Sequence, residues 1–213
     1  MRIHVIDFEG NLQCGIIEYG IVTLNAGEIE HTSTSLCRAD TPIQARDILV
    51  HGLRNEMLEA YSPFMEHQAL FYGLRGSGVL AAHHAPVENM LLNRYWTVVP
   101  VGKTSSELPS SDGSWGPWID SRLVAQHCYR AEDYSLGNLV KTFALGARLE
   151  TLAADCCPEN RCKPHCALYD ALASALVLVH LQKAYTLDER ALIRLSQTRS
   201  ASARGDFAQE ELF

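Results

Sequence analysis

The chain has 213 residues, 47% of them hydrophobic and 20% charged, with a formal net charge of −7. That length can bury a substantial core in one domain without disulfide staples, and no apolar run approaches the ~18 residues that a membrane-spanning helix needs. The acidic balance argues against a basic protein that coats nucleic acid along its whole surface, but not against an enzyme that grips it through metal ions at one site.

The opening stretch, "MRIHVIDFEG", is a short apolar run ending in carboxylates, the pattern of a buried strand entering a loop. It lacks the apolar segment of a secretory signal, so a cytoplasmic location is expected. "CGIIEYGIVTLNAGEIEHTSTSLCR" predicts two strands around a turn at Asn25, Ala26 and Gly27. "DILVHGLRNEMLEAYSPFMEHQALFYGLRG" has helical spacing broken at Ser62-Pro63, with Pro63 suited to a first helical turn. "GVLAAHHA" predicts another buried strand, after which Pro86 opens a helix, "PVENMLLNRYW". Lys103 to Pro117 is rich in Ser, Pro and Gly and is expected to be a mobile loop. Helical patterns follow in "IDSRLVAQHCY", in "SLGNLVKTFALG" (closed by Gly146) and in "RCKPHCALYDALASALVLVHL". Strands first, then strands alternating with helices, predict a mixed α/β sheet flanked by helices on both faces. One domain is expected over residues 1–196, with a flexible C-terminal tail over 197–213.

Three acidic places stand out. Asp7 and Glu9 are two apart on the first strand, so both carboxylates point to one face. Side by side they repel unless a cation or a proton intervenes; taken alone, a solvated strand end explains them as well. Glu88 sits in the first turn of a helix, where the helix dipole alone would account for it. Asp170 lies near the start of a very apolar helix, five residues after His165. If both were helical they would stand roughly 140° apart, but Pro164 places His165 on the loop feeding the helix, from where it can swing over the carboxylate. A buried carboxylate of this kind needs a compensating partner.

Taken together, "VIDFEG", "AAHHAPVENMLL" and "HCALYDALAS" resemble the motifs of the DEDDh family of 3′→5′ exonucleases, proofreading-type enzymes with an RNase H-like fold. "IIEYGIV", "HGL" at His51 to Leu53, "WIDSRLVA" and "YSLGNLV" extend the likeness over roughly Ile3 to Leu181. The resemblance implies metal ligation by Asp7, Glu9, Glu88 and Asp170, with Asp7 bridging two divalent cations, Mg²⁺ or Mn²⁺, and His165 as general base. It implies substrate contacts from Phe8, Gly10, Asn11, His51 and His84, and single-stranded DNA or RNA 3′ ends as the partner. Two departures bear on this. Glu88 stands where the family usually has Asp, which keeps an oxygen ligand one methylene further out. Gly10 and Asn11 replace the usual Thr-Thr-Gly that receives the terminal nucleotide. A homodimer, or docking to a larger nucleic-acid enzyme, is compatible with this reading.

The alternative is a catalytically weakened relative retained as a nucleic-acid-binding or protein-docking module, for which Glu88 is the support. A hydrolase built on the thiols would need a nucleophile signature that is absent. Cys156, Cys157, Cys162 and Cys166 do not match a standard zinc spacing, so ordinary thiols are expected. Trp115 and Trp118 could stack on bases, but more often such residues pin a loop to the core.

Overall fold

A computed structural model describes residues 1–96 and 115–197. Its centre is one five-stranded sheet: β1 (Arg2–Asn11), β2 (Gly15–Asn25), β3 (Glu28–Leu36), β4 (Gly78–Ala82) and β5 (Trp118–Asp120), in the order β3-β2-β1-β4-β5. β1 pairs antiparallel with β2 and parallel with β4; β2–β3 is antiparallel and β4–β5 parallel. The mixed sheet is thus the expected one, and the β2–β3 turn falls at Ala26 and Gly27, both at positive φ.

The helices are α1 (Ala45–His51), α2 (Asn55–Leu58), α3 (Gln68–Ser77), α4 (Ala85–Tyr95), α5 (Ser121–Cys128), α6 (Leu136–Thr142), α7 (Gly146–Cys156), α8 (Ala167–Ala184) and α9 (Glu189–Gln197). Strand parity sorts the two largest of their buried clusters, with a third, smaller one at Cys14, Ile17, Ile43, Leu53 and Leu58. Ile3, Val5, Val22 and Leu24 meet α8 and the helices around it. Ile6, Phe8, Tyr19 and Ile21 meet Phe64, Phe71, Leu91, Leu92, Trp96 and Trp115 on the other side. Among the described residues no helix is long and apolar enough to cross a membrane.

Several boundaries differ from the sequence pattern. The first helical stretch also breaks at Gly52, which closes α1 at φ 77, and Pro63 caps a 3₁₀ turn over Phe64–His67 rather than standing inside a helix. Ile119 and Asp120 are strand, not helix. The helix expected to stop at Gly146 ends at Thr142, because Ala144 is the residue that turns left-handed, at φ 55; Gly146 instead begins α7. The expected mobile loop falls mainly outside the described residues, as does the tail beyond Gln197.

Candidate active site

The register of β1 on β2 builds the floor of the site. Asp7 lies opposite Gly20 and Glu9 opposite Glu18, so alternation puts all four on the face that α8 covers. Gly20 is the packing key. A Cβ there would lie 2.2 Å from the Ala167 carbonyl carbon and oxygen, so only a missing side chain lets the start of α8 rest on the strand. That close approach brings Asp170, in the first turn of α8, over the carboxylates of β1.

Pro164 precedes a sharp reversal. His165 has φ 61, a region L residues adopt only under local constraint, and its backbone N–H donates to Asp170 Oδ2 at 2.9 Å. The helix therefore starts after His165, and the loop folds the imidazole back over the site. Single ligand atoms from Glu9, His165 and Asp170 all lie within 4.8 Å of one another. Asp7 adjoins this trio: beyond burial, the charges of Asp170, Glu88, Glu9 and Glu18 act on it.

Glu88 reaches the same region from α4. His84 turns the chain at φ 95, and Asp120 secures the turn. The Asp120 carboxylate accepts from the Ala85 N–H at 2.9 Å while also capping α5 through the Arg122 and Leu123 N–H groups. One buried acid thus fixes two helix N-termini. Glu88 is 7% exposed, and its Oε2 is buried with no hydrogen-bond partner among the described residues. An orphan buried carboxylate oxygen calls for an explanation.

The acids perturb one another as burial and repulsion require. Desolvation, then the Asp170 charge, raises Glu9 to about 8. Asp170 rises to about 6 through desolvation, moderated by the hydrogen bond from the His165 backbone. Burial and neighbouring acids push Asp7 well above the carboxylate range, and burial does the same to Glu88.

The expected substrate-contacting residues fare unequally. The Phe8 side chain points to the opposite face and packs on Phe64 and Phe71, with ring centroids 5.5 and 5.6 Å apart, so only its backbone borders the site. The Asn11 side chain is engaged locally: its Nδ2 donates to Asp47, and its Oδ1 accepts from the Gln13 and Cys14 N–H groups. Gly10 holds a bulge at φ 119, where a Cβ would meet the Gly15 carbonyl oxygen at 2.1 Å. His84 is exposed at the mouth of α4. His51 is buried; its Nδ1 accepts from the Leu53 N–H at 3.0 Å, so Nε2 carries the proton, and Nε2 finds no acceptor among the described residues. Burial lowers the His51 pKa, which keeps the ring neutral.

Trp115 is buried and donates to the Trp96 carbonyl, while Trp118, in β5, donates to Asn89, so both indole N–H groups are engaged within the fold. The Cys162 thiol faces the carbonyls of Ala153, Cys157 and Pro158, any one of which can accept its S–H. Among the described residues no group of three potential metal ligands includes a cysteine. The sequence reading missed Glu18 and Arg161 as neighbours of the site. Glu18 is 2% exposed and bonds to Arg161 through both oxygens. Its signal was a carboxylate inside the otherwise apolar strand "GIIEYGIVTL".

Among solved structures, Exonuclease X in complex with 5′ overhanging duplex DNA superposes with a TM-score of 0.66 at 22% identity, over 91% of this chain and 99% of that one. The nuclease domain of 3′hExo bound to rAMP, a DEDDh family member, gives 0.58 at 18% identity, over 86% and 92%. The fold is that of the DEDDh 3′-exonucleases. E. coli Exonuclease I in complex with a dT13 oligonucleotide superposes with a TM-score of 0.60 at 11% identity, over 85% of this chain and 41% of that one. In sequence, 131 residues are 27% identical to the PolC-type DNA polymerase III of Thermotoga petrophila, covering 62% of this chain and 9% of that protein. The chain thus spans under a tenth of the length of the curated relatives it matches. No family model matches the sequence.

Proposed function

We propose that the chain is a divalent-cation-dependent 3′→5′ exonuclease that releases nucleoside 5′-monophosphates from the 3′ ends of single-stranded DNA or RNA. The convergence of Glu9, His165 and Asp170 on one patch, with Asp7 beside it, carries this reading. The donor set fits a hard cation: carboxylate oxygens from Asp7, Glu9, Glu88 and Asp170, with the orphan Glu88 oxygen as the most direct sign. Two such ions, Mg²⁺ or Mn²⁺, would supply a water acidic enough to attack at neutral pH and would offset charge on the leaving 3′ oxygen.

The chain's own residues do the rest. The His165 imidazole, on the exposed lip and near both Glu9 and Asp170, accepts the proton of the attacking water. Asp170 holds the backbone of that histidine. The buried, unpartnered His51 Nε2–H would donate to the strand once uncovered, the backbone at Phe8 and Gly10 would border the terminal nucleotide, and the exposed His84 would meet the strand at the mouth of α4. The Asn11 amide is engaged by Asp47, Gln13 and Cys14, with one Nδ2–H left for the strand.

The test is a 5′-labelled single-stranded oligonucleotide with Mn²⁺, Mg²⁺ or EDTA, alongside Asp7→Ala. The expected result is a ladder shortening from the 3′ end that vanishes in EDTA and in the variant. Intact substrate in every lane, from folded protein, would overturn the reading in favour of a binding or docking module.

A further inference from the structure

Glu18 and Arg161 form a buried ion pair beside the acidic patch, and neither belongs to the set suited to hold the cations. Such pairs seldom add net stability, because desolvation cancels much of the attraction. Burial indeed works to lower the Arg161 guanidinium, and the hydrogen bonds and charge of Glu18 outweigh it, so its pKa rises on balance. What the pair does accomplish is geometric. Arg161 Nε and Nη2 grip the two Glu18 oxygens. Nη1 donates to the His51 carbonyl at 2.6 Å, and Nη2 also reaches the His165 carbonyl at 3.3 Å. Glu18 Oε2 in turn accepts from the Ala167 N–H at 3.1 Å. The pair, 143 residues apart in sequence, therefore ties β2, the end of α1 and both sides of Cys166 together.

We propose that Arg161, anchored by Glu18, is a positioning residue that holds His165 in its left-handed backbone conformation with the imidazole over the acidic patch. The assignment rests on the exonuclease reading for its kinetic consequence, not for its geometry. His165 is fixed from two sides: Asp170 takes its N–H, and Arg161 takes its carbonyl. Without the Arg161 guanidinium, the φ 61 conformation would relax and the base would leave the line of attack. Lys cannot replace this arrangement, because an ammonium carries the charge but not the flat set of five donors.

The experiment compares wild type, Arg161→Lys and the neutral pair Glu18→Gln/Arg161→Met. It measures kcat and KM on a single-stranded oligonucleotide, Mn²⁺ affinity by calorimetry, and exchange of the Ala167 amide. In Arg161→Lys we expect kcat to fall about 10- to 100-fold, the scale of a base misplaced by an ångström. KM and Mn²⁺ affinity should stay within about threefold, because only the chemical step is touched. Ala167 exchange should accelerate in both variants, and the neutral pair should melt near wild type while keeping the kcat loss. Unchanged kcat in Arg161→Lys, or kcat restored in the neutral pair, would overturn the proposal. Should wild type itself prove inactive, the exonuclease reading falls alone; faster Ala167 exchange would still support the positioning role, and unchanged exchange would sink it.

Discussion

β1 and β2 carry two different chemistries according to parity. On the α8 side, Asp7, Glu9, Glu18 and Gly20 form a patch of carboxylates with a bare backbone between them. On the opposite side, Phe8, Tyr19 and Ile21 pack with Phe64, Phe71 and Trp96 into a dry aromatic core. Adjacent residues on one strand thus do opposite work. Burial on the aromatic side stabilises the fold, whereas burial on the acidic side costs stability and raises the carboxyl pKa values. The acidic face is tolerable because the aromatic face and the α8 core hold the strands in register around it.

Substitutions on the two faces should separate the two kinds of work. Asp170→Asn removes a ligand charge but keeps an oxygen to accept from the His165 N–H. It should lose several kcal/mol of transition-state stabilisation, roughly 10³-fold in rate, while the apo protein melts at or above the wild-type Tm. Activity assays beside calorimetry check both halves, and an equal fall in Tm would break the comparison. Phe64→Ala, on the far face, should do the reverse. Phe64 is fully buried among Phe8, Phe71, Tyr95 and Trp96. Its truncation should cost about 3–5 kcal/mol in denaturant unfolding, with the activity of the folded fraction within about threefold of wild type. A catalytic defect there would show that the faces are coupled through the strands.

What the sequence could reveal follows the range of each interaction. The i, i+2 spacing of Asp7 and Glu9, and Pro164 ahead of an apolar helix, are local signals, and both led to the acidic patch. The same period-2 rule turns the Phe8 side chain into the aromatic core and leaves only its backbone toward the acidic face. The bonds of Asn11 to Asp47 and to the turn at Gln13 and Cys14 are set by the folded loop, which no local pattern announces. β5 is three residues long, too short for its alternation to stand out from the helix that follows. Glu18 and Arg161 could be matched only in three dimensions. A lone Glu in an apolar strand announces that it needs a partner, but not where in the chain that partner lies.

The acidic face should also make stability depend on pH. Glu9 holds its proton up to about 8 in the folded chain, against 4.5 for the ordinary group. Below about 4.5 it is protonated whether folded or not and has no effect. Between 4.5 and 8 the unfolded chain has released a proton that the folded chain retains. Stability therefore falls as pH rises through that window, and Asp170, raised to about 6, adds to the fall at its lower end. The melting temperature of EDTA-treated protein should decline steadily from pH 5 to pH 8. Mn²⁺ should reverse the decline, and most strongly at pH 8, since the cation replaces the protons that the carboxylates otherwise hold. A flat profile insensitive to Mn²⁺ would mean that water enters the patch freely. The acidic face would then differ from the aromatic one in composition but not in what its burial costs.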